Sequence, residues 1–386
     1  MTPTLLYIGY YMSEQLFDEI VKHKINNMST ARQSLEYGLL KEFSQINDFN
    51  IKAISYVPAS KEIKIPSESR IGQLSISHIP IIKNRLTSYL KGAWRFWHYL
   101  WKEIPKGSAV VMYAVNPIFM FPLSIAKTAK KLTLTTICSE VPKYRRYDKS
   151  LAMRFKKSIQ TFFNNRFDKY ILLTEPMKEV VAVKNKPYMV MEGIAAELPD
   201  KPSDSQRKNI VMYAGGLHPD NNLRLLIEAC NRSSMVEECW ICGSGPQEKD
   251  LASLIADNQR IKLLGRRSHE EVKNLEKQVK ILINLRDSGN PLTRYSFPSK
   301  IIEYLASGAQ VISTRLAGIP AEYFDYLHTI DDDRLTADNL ADLFNEILSL
   351  PEQELQQRAS KSLKFLKENK SAEIQSKRII EFACQN

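Results

Sequence analysis

The chain has 386 residues, of which 44% are hydrophobic and 25% charged, and its formal net charge is +11. This length allows two domains, and the composition is ordinary for a globular protein that folds in water. No apolar run approaches the length of a membrane-spanning helix. The positive charge favours an anionic partner, whether a phosphate-bearing substrate, an anionic lipid or a nucleic acid.

The N-terminal residues predict a first β-strand, 5–9, because they lack the basic segment and apolar core of a signal peptide. A long polar loop with Asn26 and Asn27 follows, and residues 31–43 have helical spacing. A strand, a loop and a helix in this order open a doubly wound α/β domain, whose ligands bind at the carboxyl ends of the strands. Asn26 and Asn27 are therefore candidate substrate contacts, although helix capping is the simpler interpretation.

Further strands alternate with helices through the first half, which predicts a parallel sheet. They are expected at residues 51–57, 74–82, 109–114, 132–138, 169–174 and 188–193. Glu140 follows one of these strands directly, so we expect it at the carboxyl edge of the sheet. There it could bind or deprotonate an acceptor hydroxyl, while a helix cap or an ion pair explains a lone carboxylate equally.

Two predicted helices of this half, 86–103 and 151–167, combine aromatic residues with many Lys and Arg. Basic amphipathic helices with aromatic residues are typical of a membrane-surface contact. For helix 86–103, which has Trp94 on its apolar side, packing on the sheet is the simpler interpretation. For the basic region 143–166, where acids are sparse, we favour a role facing a membrane or an acceptor.

A polar segment with two prolines, 197–208, is the best domain boundary. It divides an N-terminal domain, 1–196, from a C-terminal domain, 209–365, and the helical residues 366–386 are expected to pack back on the first domain. Cys239 and Cys242 have C-x-x-C spacing without a second pair or a His cluster. We interpret them as buried strand residues and expect no metal site.

Strands of the second half end in glycine turns, at Gly215 and Gly216 and at Gly265 among others. Paired glycines let a backbone approach a phosphate closely. The stretch 294–308 predicts a loop that turns into a helix, whose first N–H groups and dipole attract anions. Lys300 adds a positive charge there and Glu303 lies one turn further on, an arrangement that suits the diphosphate and ribose of a sugar nucleotide. An ordinary capped core helix explains this stretch equally.

From Asn209 to about Tyr323 the motifs resemble, in order and spacing, those of retaining glycosyltransferases of family 4. These enzymes have two facing Rossmann-like domains with an interdomain cleft, the GT-B fold. The matching segments are Tyr213–Leu217, Ile227–Ala229, Trp240–Pro246, Ile261–Gly265, Phe297–Glu303 and Gly318–Glu322. The Phe-Pro-Ser-Lys form is similar to bacterial surface-polysaccharide transferases, whereas the first half matches in architecture only.

The resemblance implies that Glu303 is the second glutamate of the family's E-x7-E motif, which binds ribose. It further implies that Gly215 and Gly216 lie near the donor diphosphate and that the segment from Gly265 to Ser268 cradles the base. The candidate donor-binding residues are Gly215, Gly216, Gly265, Arg286, Arg294, Tyr295, Ser296, Phe297, Pro298, Ser299, Lys300 and Glu303.

The sequence departs from the family pattern at three positions. Tyr295 stands where the first motif glutamate belongs, and Gly216 and Asn221 stand where many members have Arg and Lys. Charge on a bound diphosphate would then rest on Lys300, on backbone N–H groups, and on Arg286 or Arg294.

The resemblance implies a retaining transferase that moves a sugar from a UDP- or GDP-type donor to a glycan hydroxyl. We expect a lipid-linked acceptor in lipopolysaccharide or capsule synthesis and a cytoplasmic enzyme, peripheral on the anionic inner face of the membrane. Apart from the nucleotide sugar, no cofactor or metal is expected. Two alternatives are a sugar-nucleotide epimerase, which would need more ionisable groups near the anomeric centre, and a nucleic-acid-binding protein, for which no motif is recognisable.

Overall fold

The computed structural model describes residues 2–23, 30–60, 62–82, 85–139, 158–159, 161–181, 185–201, 207–256 and 258–385. The chain divides into two compact units, one of residues 1–197 with 371–386 and one of residues 198–370. Each unit contains a largely parallel sheet with helices packed on it. The prediction of an α/β protein with two Rossmann-like domains is confirmed.

The first sheet has eight strands in the order β3-β4-β2-β1-β5-β6-β7-β8. They are β1 Thr4–Gly9, β2 Asn50–Ala59, β3 Glu68–Ile71, β4 Leu74–Ile82, β5 Ala109–Tyr113, β6 Thr133–Cys138, β7 Lys169–Leu172 and β8 Tyr188–Val190. All neighbours pair in parallel except β3 and β4, which form an antiparallel hairpin. The sequence did not predict β3, because this edge strand buries only one of its four side chains.

One helix of the first unit, Glu14–Lys22, lies where the sequence predicts a loop. Ser13 caps this helix by accepting a hydrogen bond from the Leu16 amide. The polar loop expected after β1 is therefore partly wrong. The described helices are Glu14–Lys22, Thr30–Phe43, Leu86–Glu103, Pro117–Lys130 and Ala372–Cys384, with a 3-10 turn at Glu175–Glu179. Residues 161–164 are also helical, but the first part of the basic region, 143–157, lies outside the described residues.

The second sheet is parallel throughout, in the order β11-β10-β9-β12-β13-β14. Its strands are β9 Lys208–Ala214, β10 Glu238–Cys242, β11 Ile261–Gly265, β12 Val279–Asn284, β13 Gln310–Thr314 and β14 His328–Ile330. Cys239 and Cys242 are buried in β10 as free thiols, as expected. Because all six strands run the same way, the loops after them meet at one edge.

The α-helices of the second unit are Leu223–Arg232, Glu248–Leu254, His269–Glu276, Pro291–Arg294, Lys300–Ser307, Ala337–Ser349 and Glu352–Asn369. Short 3-10 turns occur at Pro219–Asn221, Ala321–Tyr326 and Asp332–Arg334. The chain ends in two helices, Glu352–Asn369 and Ala372–Cys384. Ser371 starts the second by accepting from the Ile374 amide, and there the chain leaves the second unit for the first.

The helix Leu86–Glu103 does not bury its tryptophan side. Gly92, Phe96 and Leu100 are buried, whereas Trp94 is 67% exposed. The expectation that the tryptophan side packs on the sheet is therefore wrong, because a separate apolar stripe of the same helix fills that place. Among the helices that the structure describes, none is both long and apolar enough to cross a membrane.

Candidate functional site

Turns at the carboxyl edge of the second sheet are joined to one another by backbone hydrogen bonds. The Gly215 amide donates to the Cys242 carbonyl at 2.9 Å, and the Gly243 amide donates to the Gly265 carbonyl at 2.9 Å. The ends of β9, β10 and β11 are thus linked in series. The predicted glycines Gly215 and Gly265 lie at the same edge, joined through Gly243.

Gly243 leaves no room for a side chain. Its φ is 151°, and a Cβ there would lie 1.8 Å from the Gly215 carbonyl oxygen. Only glycine allows backbones to approach this closely. The result is an edge at which main chain packs directly on main chain.

The Gly216 carbonyl is held by two side chains, which fixes the loop after β9. The Tyr213 hydroxyl donates to it at 2.8 Å and the Asn221 amide nitrogen at 2.7 Å. Burial raises the pKa of Tyr213, so its hydroxyl keeps the proton that it donates. Asn221, which stands where many family 4 members have Lys, therefore supports the loop without adding charge.

Arg286 brings a cation to this edge directly after β12. Its guanidinium lies 3.5 Å from the Ser296 hydroxyl, and its carbonyl accepts from the Thr314 hydroxyl at 2.7 Å. Burial lowers the pKa of Arg286, while Tyr213 and Asp220 act in the opposite direction. A guanidinium remains charged at neutral pH even so.

The loop before the helix Lys300–Ser307 divides its predicted site residues into surface and packing positions. The guanidinium of the exposed Arg294 lies 6.0 Å above the ring of the partly exposed Tyr295. Phe297 and Pro298 are buried, and the Phe297 ring packs 5.2 Å from the ring of Tyr323. Arg294 and Tyr295 are thus accessible at the surface, whereas Phe297 and Pro298 set the shape of the loop.

Lys300 begins its helix next to an acidic partner. The residue before it, Ser299, makes no side-chain capping bond to the helix. The Lys300 ammonium donates to the Glu303 carboxylate at 2.5 Å. The first turn therefore combines backbone N–H groups, an ammonium and a carboxylate at one place.

A second carboxylate, Glu276, faces Lys300 from the end of the helix His269–Glu276. Its Oε1 lies 3.8 Å from the Lys300 ammonium, and its side chain is only 1% exposed. Burial raises the pKa of Glu276 from its ordinary 4.5 to about 7, although Lys300 opposes this shift. Burial by itself lowers the pKa of Lys300, but Glu303 and Glu276 outweigh it and raise the pKa, so Lys300 stays a cation.

Sequence reasoning missed Glu276, because nothing in the local pattern separates it from the solvated acids of the same helix. Glu270 and Glu271 precede it, and both are exposed. The capping box of Ser268 and Glu271 does mark the start of this helix. The position of its last residue beside Lys300 follows only from packing between distant segments.

Tyr304 ties the helix Lys300–Ser307 to the end of β9. Its hydroxyl accepts from the Ala214 amide at 3.0 Å and donates to the Ala214 carbonyl at 3.1 Å. Burial raises the pKa of Tyr304 well above its usual value, so the hydroxyl remains neutral. Because Ala214 precedes Gly215, these bonds hold Lys300 and the glycine turns at the same edge.

The predicted residues fall into two groups. Most donor candidates lie at this edge of the second sheet, whereas the acceptor-side candidates Asn26, Asn27 and Glu140 lie outside the described residues. Within the described ranges, no group of three or more His, Cys, Asp or Glu side chains is arranged to hold a metal ion.

Three solved structures show the fold of the chain. Anabaena HepE in complex with UDP is 13% identical, with a TM-score of 0.65 over 98% of each chain. HepE in complex with UDP-glucose is 12% identical, with a TM-score of 0.62 over 98% of this chain and 99% of that one. The lipopolysaccharide outer core galactosyltransferase WaaB, in its apo form, is 13% identical, with a TM-score of 0.62 over 98% of each chain.

Sequence comparison adds a family match for one part of the chain. No curated protein matches at a significant level. Residues 195–364 match the family described as "Glycosyl transferases group 1". This region includes the glycine turns at Gly215, Gly243 and Gly265 and the pair of Lys300 and Glu303. Over this part of the chain the match supports a glycosyltransferase, and the similarity to the solved structures shows the GT-B fold.

Proposed function

We propose that this protein is a retaining glycosyltransferase of family 4. It moves a sugar, such as a hexose, from a UDP- or GDP-type nucleotide sugar to a hydroxyl of a lipid-linked glycan. The reaction belongs to bacterial surface-polysaccharide synthesis, of lipopolysaccharide or capsule, and takes place in the cytoplasm at the membrane surface. The observation that carries the proposal is the pair of Lys300 and Glu303 at a helix start, beside main-chain glycine turns.

The donor diphosphate is proposed to bind at the start of the helix Lys300–Ser307. The N–H groups and the dipole of the first turn attract it, and Lys300 supplies a charge-assisted hydrogen bond. Gly215 and Gly216 let the phosphates approach the main chain, and Arg286 adds a second cation. HepE, which shares the fold, has been solved with UDP and with UDP-glucose, which supports a nucleotide sugar as ligand.

Glu303 is proposed to change partners when the donor arrives. In the structure it accepts from Lys300 at 2.5 Å. When phosphate oxygens take over Lys300, the Glu303 carboxylate can accept hydrogen bonds from ribose hydroxyls. Glu276, 3.8 Å from Lys300, remains as the buried partner that keeps the ammonium charged and in place.

The chemistry that these groups suit is departure of a nucleoside diphosphate from the anomeric carbon. Negative charge develops on the leaving phosphate, and prearranged N–H groups with Lys300 and Arg286 stabilise it electrostatically. The acceptor hydroxyl attacks from the same face, which retains the anomeric configuration, and a leaving phosphate oxygen takes its proton. The proposed reaction needs no protein nucleophile, metal or further cofactor.

The nucleotide site is tested by calorimetry with UDP and GDP on Lys300→Ala and Glu303→Ala. We expect about tenfold to hundredfold weaker binding for Lys300→Ala, because a charge-assisted hydrogen bond contributes about 1.5–3 kcal/mol. Glu303→Ala should bind a nucleoside diphosphate more weakly through loss of the ribose contact. Lys249→Ala, at an exposed lysine of the same unit, is the matched control. Unchanged affinity in both site variants would contradict this assignment.

The transfer reaction is tested by a donor screen with lipid-linked acceptors. The anomeric configuration of the product, measured by NMR, should equal that of the donor. An inverted product would refute retention while leaving the nucleotide site intact. Epimerised sugar nucleotide without transfer would favour the epimerase alternative.

A further inference from the structure

Helix Leu86–Glu103 exposes an apolar stripe, and the neighbouring helix Pro117–Lys130 exposes more apolar side chains. Leu86 is 73% exposed, Trp94 67% and Phe121 65%. Large apolar side chains exposed together usually mark an interaction surface. We call the aromatic face the set of Leu86, Leu90, Trp94, Trp97, Trp101, Phe121 and Ile125.

The aromatic face is not needed to hold its helices on the sheet. Gly92, Phe96 and Leu100 form a different stripe of the first helix, and they are buried. The Phe96 ring packs 4.8 Å from the ring of Phe119, which is buried on the second helix. Each helix therefore has one apolar side for the core and another that remains exposed.

Lys130 fixes the two helices side by side. Its ammonium donates to the Leu100 carbonyl at 2.8 Å and to the Trp101 carbonyl at 3.1 Å, and it lies 5.2 Å over the Trp101 ring. These bonds satisfy carbonyls at the end of the helix Leu86–Glu103. The aromatic face is thus presented by a fixed pair of helices.

Positive charge surrounds the aromatic face almost without acids. Residues 85–131 include eight Lys and Arg but one acid, Glu103. Glu103 already pairs with Lys52 at 2.6 Å. On the helix Leu86–Glu103, the exposed Lys91, Arg95 and Lys102 follow directly beside the apolar stripe. Tryptophan flanked by cations matches the boundary between acyl chains and anionic headgroups.

We propose that the aromatic face docks on an anionic phospholipid bilayer. Its apolar side chains enter the boundary below the headgroups, and the neighbouring Lys and Arg contact lipid phosphates. The choice of a bilayer over a protein partner follows from the charge, since the exposed Lys91, Arg95 and Lys102 lie beside exposed tryptophan on the helix Leu86–Glu103. The role of this docking, which is to bring the enzyme to a lipid-linked acceptor, rests on the proposed function.

Tryptophan fluorescence reports on this face, because three of the four tryptophans lie on it and the fourth, Trp240, is buried in the second unit. Adding vesicles rich in phosphatidylglycerol should shift the emission to the blue, and the protein should sediment with them. Vesicles of phosphatidylcholine alone should give a much weaker effect. Absence of both signals with phosphatidylglycerol would overturn the proposal.

The aromatic side chains are tested by the double variant Leu90→Ser with Trp94→Ser. Both positions are exposed, so the fold should remain, and vesicle partitioning should fall by about a hundredfold because two apolar side chains no longer enter the bilayer. The matched control is Tyr188→Ser with Leu254→Ser, which removes exposed apolar side chains elsewhere and should leave partitioning unchanged. Equal partitioning of the two double variants would overturn the proposal.

The charges are tested by Lys91→Gln with Arg95→Gln, which should lower partitioning on phosphatidylglycerol by about tenfold or more. The control is Lys249→Gln with Lys361→Gln, at exposed lysines of the second unit. A dimer in light scattering that the Leu90 and Trp94 variant dissociates would assign the face to a second copy and overturn the proposal.

Docking and nucleotide binding can fail separately. UDP or GDP affinity of the Leu90 and Trp94 variant should equal that of the unaltered protein. Vesicle binding without any nucleotide affinity would refute the proposed function but keep the docking surface. Nucleotide affinity without vesicle binding would do the reverse.

Discussion

The first strand along the chain in each unit leads to a glycine, since Gly9 ends β1 and Gly215 follows β9. The glycines at these two sheet edges differ in what fills the space beside them. A Cβ at Gly9 would lie 1.9 Å from a Glu36 carboxylate oxygen. At the edge that contains Gly215, a Cβ at Gly243 would instead lie 1.8 Å from main chain. A side chain fills the space at Gly9, whereas at Gly243 main chain packs directly on main chain. Under the proposed function, main-chain packing suits the diphosphate that all nucleotide donors share, whereas side chains can vary with the acceptor.

Each unit also contains a buried glutamate near its strand ends whose pKa is raised. In the first, Glu36 accepts from the Tyr10 amide at 2.8 Å and the Tyr7 hydroxyl at 3.2 Å. In the second, Glu276 faces the Lys300 ammonium at 3.8 Å. Burial raises the pKa of both glutamates to about 7. In both units burial outweighs a neighbouring cation that lowers the pKa, Arg32 for Glu36 and Lys300 for Glu276.

The largest effect is expected from alanine at the glycines. Gly243→Ala should destabilise the second unit by about 4 kcal/mol or more, because the added methyl meets a carbonyl that cannot move away and φ is left-handed. Gly9→Ala should cost the first unit roughly 1–3 kcal/mol, because the neighbouring carboxylate can shift. Thermal unfolding with hydrogen exchange of residues 208–265 and 4–59 measures each unit. A larger loss of stability for Gly9→Ala than for Gly243→Ala would contradict this difference between the two glycines.

A smaller effect is expected in the pH dependence of the free energy of unfolding. The raised pKa values mean that both folded glutamates hold a proton between pH 4.5 and about 7, where the unfolded chain has lost it. Their contribution to stability is therefore full below pH 4.5 and is lost as pH rises through about 7. We therefore expect the free energy of unfolding of the unaltered protein, measured relative to Glu276→Gln or to Glu36→Gln, to fall by roughly 1–3 kcal/mol between pH 4.5 and about 7.

Urea unfolding from pH 4 to pH 8 measures these differences, and a flat difference would contradict the burial of a protonated glutamate. Lys300→Met separates the two units. Since Lys300 lowers the pKa of Glu276, removing Lys300 should shift the pH range over which the stability contribution of Glu276 is lost to higher pH. The pH range for Glu36 should not change.

The contrast also explains how much the sequence could predict. Lys300 and Glu303 are three residues apart on one helix, so local spacing predicted that they lie near the same face. The strand-end glycines were found because each follows an apolar strand. Glu276 escaped because its partner is distant in sequence and only packing brings them together. The same limit applies to the aromatic face, where spacing predicts an apolar side but not which of two apolar stripes the core covers.

The smallest effect compares two strand ends with left-handed backbone. In the second unit β11 ends at Gly265, with φ 66° and open space where a Cβ would be. In the first unit β5 is followed by Ala114, with φ 58°. Alanine costs about 1–2 kcal/mol in this conformation, but glycine leaves the unfolded chain more freedom. Gly265→Ala should therefore lose, and Ala114→Gly gain, about 0.5–1 kcal/mol in urea unfolding. Opposite signs would show that backbone conformation alone decides these positions, whereas a loss in both would mean that the Ala114 methyl contributes packing to its edge.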